Sequence, residues 1–165
     1  MAKAREEEEP KRHRIFTYGT LKRGFANHKL MQELINHNDA VFLGNYSTQS
    51  SFPLVLGPNG IPYLINLPVS GRPVRGELYA VSNHGVARLD ELEETSIAHY
   101  DRLPVQVVGD SNGGETVVIK AECYFAGKGA GEGLWNGKDG EGLEEYTERE
   151  AVEFMRKDQT SKRLP

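Results

Sequence analysis

Residues 40–81 read AVFLGNYSTQSSFPLVLGPNGIPYLINLPVSGRPVRGELYAV, and this stretch decides the fold class. The runs AVFLGNYS, FPLVLG, IPYLINL and VRGELYAV are rich in β-branched and aromatic residues, and each ends at Gly, Pro, Asn or Ser. Strand formers punctuated this often predict a series of short strands rather than helices. The pattern continues on both sides. Upstream, RIFTY (Arg14 to Tyr18) alternates and stops at Gly19, as a strand does when it runs into a glycine turn. Downstream, VQVVG and TVVIKAECYFA predict further strands at similar spacing, and such a set builds a small sheet or barrel.

Helices interrupt the strands. NHKLMQEL places Leu30, Met31 and Leu34 at helical spacing behind Asn27, which is positioned to cap the N-terminus. SNHGVARLDELEE opens on Ser82 or Asn83 as a cap, and TEREAVEFMRK carries a Thr147/Glu150 capping box with Ala151, Phe154 and Met155 as its apolar stripe. The fold class is therefore α+β, a small mixed barrel or sheet flanked by short helices.

Composition bounds the rest. The chain has 165 residues, 24 acidic and 20 basic, for a formal charge of -4. That is one domain, large enough to bury about two-thirds of its unfolded surface without a metal or a disulfide. Cys123 is the single cysteine, so no intrachain bridge can form, and no Cys/His pair has zinc-ligand spacing. No metal and no cofactor are expected, and a reducing cytosolic or nuclear compartment is the default, with the cytoplasm the expected setting. Mean hydropathy is -0.56 and no apolar run approaches the ~20 residues of a membrane span. The mild acidity argues against nucleic acid as a partner, because phosphate-backbone binders carry a concentrated basic excess. With no exposed apolar stripe to mark an interface, a monomer is expected. The lead-in at 1–13 is two charge blocks of opposite sign and reads as disordered. The glycine-dense segment at 127–145 lacks Gly-Lys-Ser/Thr and does not feed directly into a helix, so it predicts a surface loop or lid and not a phosphate cradle.

Two places carry chemistry. On a wheel of about 100° per residue, Val86, Leu89 and Leu92 share the face that packs on the core. Asp90, Glu91 and Glu94 fall roughly 100° or more from its centre and read as surface, whereas Glu93 lies only about 40° away. An inward carboxylate at a helix C-terminal end is disfavoured as an anion by desolvation and by the helix dipole, and its pKa rises. Near neutrality such a group is suited to general acid/base work. The second place is YGTLKRG, Tyr18 to Gly24, where a glycine after a buried strand lets successive backbone N–H groups form a nest for an anion or a carbonyl oxygen. From residue pattern alone both places also fit plain structure, a frayed helix end and an ordinary strand-to-helix turn.

YGTLKRG after an N-terminal strand, then NHKLM, then PLVLGPNGIPYLINLPVSGRPVRGELYAV, then LDELEE followed by Tyr100 and Arg102, resembles the γ-glutamylcyclotransferase-like family, which includes plant AIG2-like proteins. Within it the chain most resembles the γ-glutamylaminecyclotransferase branch. The resemblance spans roughly residues 15–107 and implies a small mixed β-barrel with flanking helices. It implies release of 5-oxoproline and a free amine from a γ-glutamyl amine, for example γ-glutamyl-lysine, by attack of the substrate's own α-amine on its γ-carbonyl. It places the substrate-binding loop at Tyr18, Gly19, Thr20 and Leu21, the general acid/base at Glu93, and Tyr100 beside the substrate. Tyr100 and Arg102 also fit ordinary strand residues, and Tyr146 fits either a pocket wall or the core. The family's usual L-D-x-F-E-G is LDELEE here, with Leu92 for the aromatic and Glu94 for the glycine. Two other functions keep the fold: turnover of γ-glutamyl amino acids, and a non-enzymatic binding module. The expected organisation is a lead-in at 1–13, the barrel at 14–126, the glycine-rich loop at 127–145, and a C-terminal helix and tail at 146–165.

Overall fold

A computed structural model of the protein describes residues 10–57, 61–68, 70–95, 100–109, 117–127 and 142–152, with the backbone alone at Glu94 and Thr95. In chain order the elements are β1 (His13–Thr17), α1 (His28–Asn36), β2 (Ala40–Thr48), β3 (Leu54–Leu56), β4 (Pro62–Leu64), β5 (Arg75–Val81), α2 (Asn83–Thr95), β6 (Asp101–Gly109) and β7 (Val118–Phe125). Residues 1–9 of the lead-in, most of the glycine-rich segment, and Phe154 and Met155 lie outside the described residues.

Five strands close a barrel in the order β1-β5-β2-β6-β7. Every neighbouring pair is antiparallel except β1 and β7, which close the barrel in parallel through Ile15 opposite Glu122. The barrel is mixed, as expected. Alternation along each strand sorts side chains into two clusters. Phe16, Leu78, Val107, Cys123 and Phe125 fill one with Leu54, Leu64 and Tyr146. Ile15, Tyr79, Val81 and Tyr124 point the opposite way and meet Met31 and Leu34 of α1 and Val86 and Leu89 of α2. Each fully buried aliphatic or aromatic side chain of this kind contributes about 1.5–3 kcal/mol.

β3 and β4 form a separate two-stranded sheet. It docks on the barrel through Ala126, whose N–H donates to the Leu64 carbonyl at 2.7 Å. The segment at 142–146 lies across the same region: Leu143 N–H donates to the Leu54 carbonyl, and Arg75 N–H to the Glu144 carbonyl. One half of the Thr147/Glu150 capping box is present, with Thr147 N–H donating to the Glu150 carboxylate at 2.8 Å and the Thr147 hydroxyl donating to the same oxygen, and it opens a helical segment at 148–152.

Three local expectations change. β6 begins at Asp101, four residues ahead of VQVVG, because Pro104 sits where β6 has β7 alongside but β2 pairs only from Val107 onward. A proline inside a strand is tolerated where one side lacks a ladder partner. Asn27 occupies the cap position of α1 but its side chain makes no capping bond; its Nδ2 donates to Thr20 Oγ1 at 2.8 Å instead. Asp90 is not solvated surface: Arg102 and Tyr124 hold it.

Candidate active site

The strand β1 ends at Thr17 and the chain turns at once through Tyr18, Gly19, Thr20 and Leu21. A glycine is required at 19 for close approach and not for a left-handed backbone. A Cβ built there would lie 2.8 Å from Cγ of Pro62, so β4 packs directly on the turn. Tyr18 is buried, and its hydroxyl donates to the Tyr124 carbonyl and accepts from Leu64 N–H, pinning the turn between β7 and β4. Carbonyls in the turn are used as well: Gly19 accepts from Lys22 N–H, Thr20 from Asn27 N–H, and Leu21 from the His28 ring. The N–H groups of Gly19, Thr20 and Leu21, by contrast, donate to no protein acceptor among the described residues. A backbone N–H without a partner is costly unless water or a ligand takes it.

These residues border a cavity of about 220 Å³. Phe16, Thr17 and the turn form one wall, Ile61, Pro62 and Tyr100 another, and Leu92, Glu93 and Tyr124 a third. All six residues that the sequence singled out, Tyr18, Gly19, Thr20, Leu21, Glu93 and Tyr100, border this one space. Ser82 caps the helix that brings Glu93 there, its Oγ accepting from Gly85 N–H at 3.0 Å. Val86 and Leu89 bury against the barrel as the wheel requires, and the next turn of the same face delivers Leu92 and Glu93 to the cavity.

Burial, and then the neighbouring charge of Asp90, push the Glu93 carboxyl up to about 7. The tyrosines around it are un-ionised at such a pH, since burial raises the hydroxyls of Tyr18, Tyr100 and Tyr124. Tyr100 donates to the Pro62 carbonyl at 2.6 Å and stacks on Tyr63 at 5.9 Å between ring centroids. It therefore fixes the β4 wall that Gly19 touches. Arg102 and Tyr146 are elsewhere. Arg102 makes two hydrogen bonds to Asp90, at 2.9 and 3.2 Å, and one to Glu122 at 2.8 Å. Tyr146 is fully buried in the barrel cluster against Phe25.

Sequence reasoning missed Pro62, Asn27 and Tyr124. Asn27 was visible as a polar residue ahead of a helix, and a cap was the simpler expectation. Tyr124 alternates with Cys123 and Phe125, which places it on the helix-covered face, but strand alternation alone does not name the helix. Nothing local marks Pro62, whose contact with Gly19 is made in space. The lining holds a carboxyl, hydroxyls and backbone N–H groups, and among the described residues no cluster of His, Cys, Asp or Glu is arranged to hold a metal ion.

Residues 15–148 match the family model described as gamma-glutamyl cyclotransferase, AIG2-like. An Arabidopsis thaliana protein with the provisional name gamma-glutamylcyclotransferase is 44% identical over 159 residues, covering 91% of this chain and 85% of that one. The gamma-glutamylaminecyclotransferase of Mus musculus is 44% identical over 115 residues, covering 67% of this chain and 74% of the relative. The crystal structure of an AIG2-like protein from Mus musculus superposes with a TM-score of 0.62 at 33% identity, covering 82% of this chain and 95% of that one.

Proposed function

We propose, from the premise that this chain belongs to the gamma-glutamyl cyclotransferase, AIG2-like family, that it releases 5-oxoproline from a γ-glutamyl amine such as γ-glutamyl-lysine. The observation that carries the proposal is the shared cavity: a carboxyl poised near neutrality on one wall, and N–H groups left over by the fold on another.

The substrate brings its own nucleophile. Its α-amine attacks the γ-carbonyl, a carbon–nitrogen bond closes the five-membered lactam, and the bond to the departing amine breaks. The α-ammonium loses two protons on becoming the lactam N–H, and the departing nitrogen gains two on leaving as an ammonium. Glu93 relays them. A relay must both take and give a proton at the working pH, which a carboxyl of ordinary acidity does poorly and one near 7 does well. The N–H groups of Gly19, Thr20 and Leu21 receive the α-carboxylate or the oxyanion of the tetrahedral intermediate. The walls hold the chain of the γ-glutamyl group folded for ring closure, and well-oriented intramolecular reactions gain effective molarities of about 10⁵–10⁸ M.

A γ-glutamyl amine is favoured as substrate because none of the described residues lining the cavity is Lys or Arg. A leaving group with a carboxylate next to the scissile amide would find no cation there, whereas an aliphatic amine meets Ile61, Pro62 and Leu92. The test is to incubate the purified protein with γ-glutamyl-ε-lysine, γ-glutamyl-α-amino acids and glutathione and to measure 5-oxoproline. Fastest release from the ε-lysine compound is expected. Release mainly from the α-amino acids would reassign the leaving group, and no release from any would leave a binding module.

A further inference from the structure

Asp90 precedes Glu93 by three residues, so both project from one side of the last turns of α2. Strands of the barrel grip Asp90 from beneath. Arg102 of β6 engages both its carboxylate oxygens, and the Tyr124 hydroxyl of β7 donates to Oδ1 at 2.7 Å. Arg102 is itself fixed by Glu122 of β7, which also lies 3.6 Å from the His13 ring of β1. A fork-on-carboxylate contact of this kind constrains direction as well as distance. Two strands therefore converge on one carboxylate, a single helical turn from the cavity acid.

We propose that Asp90, clamped by Arg102 and Tyr124, is a positioning residue that fixes the last turn of α2 and the negative charge beside Glu93. The proposal rests on the assignment of Glu93 as the proton relay. Among the described residues, the groups that act on Glu93 include Tyr18 of the turn, Tyr100 ahead of β6 and Tyr124 of β7, all neutral hydroxyls at the working pH, and Asp90 on its own helix. Of these, Asp90 carries the charge. Its fixed position disfavours the Glu93 anion, and Arg102, which pairs with Asp90 and is not among the cavity-lining residues, moderates that effect by offsetting the Asp90 charge.

The two partners should thus act in opposite senses. With Asp90→Asn, Glu93 titrates at lower pH, and the acidic limb of the kcat/KM profile moves the same way. With Arg102→Gln, the aspartate is left less neutralised, and both move to higher pH; Arg102→Lys returns them toward the wild type. A role confined to packing would loosen and hydrate the site in both variants, moving both to lower pH. The measurement is the Glu93 carboxyl resonance followed by NMR against pH, assigned by its loss in Glu93→Gln, alongside pH profiles of 5-oxoproline release. Opposite displacements establish the clamp. Displacements of the same sign, or none, overturn it. Should Asp90→Asn fail to fold, the Arg102→Gln and Arg102→Lys pair decides the question alone. If Glu93→Gln keeps full activity while the resonance still moves in opposite senses, the relay assignment fails and the clamp stands.

Discussion

Two hollows flank the turn at Tyr18–Gly24, and each is bordered by an inward glutamate. On one side Glu93 borders the cavity of about 220 Å³ with Tyr18 to Leu21. On the other, a hollow of about 300 Å³ is bordered by Lys22, Arg23, Arg75 and Glu77. Glu77 is the more buried of the two acids, at 7% exposure, yet it is surrounded by donors. Arg23 supplies its backbone N–H at 2.9 Å and its guanidinium at 3.1 Å, and Tyr79 its hydroxyl at 3.0 Å. Lys22 is spent in the same region, donating to the Tyr146 carbonyl at 2.6 Å and ion-paired with Glu145. Glu93 instead has a second carboxylate one turn away and a pKa raised toward neutrality. Burial alone therefore does not make an acid reactive. A buried carboxylate whose surroundings favour its charge is a structural tie, and one whose pKa is raised toward neutrality at the edge of a cavity is suited to proton transfer.

The comparison breaks most readily at Gly19. An alanine there puts its Cβ against the Pro62 ring, which Tyr100 holds by its carbonyl, so the turn must shift off the β4 wall and out of its place in the cavity. Gly19→Ala is expected to keep a folded barrel by circular dichroism and to lose roughly 100-fold in kcat/KM, the scale on which ångström misplacements act. A rate within a few-fold of wild type would mean that the turn does not position the substrate.

Effects of opposite sign separate the two glutamates in equilibrium unfolding. Glu77→Gln leaves the Arg23 and Tyr79 donors facing an amide and should cost about 1–3 kcal/mol. Glu93→Gln should stabilise. The unfolded carboxyl ionises from about 4.5 upward and the folded one only near 7, so the folded wild type holds the extra proton between those values. Its stability therefore falls as pH rises through that window, and the amide variant avoids the fall. Glu93→Gln should gain about 3 kcal/mol over the wild type at pH 8, relative to their difference at pH 4. A pH-independent difference would place Glu93 among ordinary carboxylates.

Much of this was legible in the sequence because it is local. Strand runs, the glycine after RIFTY and the Val86–Leu89–Leu92 face each depend on spacing within a few residues, and they locate β1, β5, α2 and the direction of Glu93. What was not legible is made between distant segments. The parallel closure of β1 on β7 joins residues 15 and 122. Asp90 sits on the flank of the helix wheel, and only the arrival of Arg102 and Tyr124 beneath it separates a clamped residue from a solvated one. The environment of Glu77 is of the same kind, since its donors come from residues 23 and 79.

The most direct test of the central claim is the rate of 5-oxoproline release by Glu93→Gln from γ-glutamyl-ε-lysine at pH 7, measured beside the wild type on protein shown to be folded. The account predicts a loss of at least about 100-fold, the upper range for removal of a general acid/base. Near-normal release from the variant would contradict it and remove Glu93 from the chemistry.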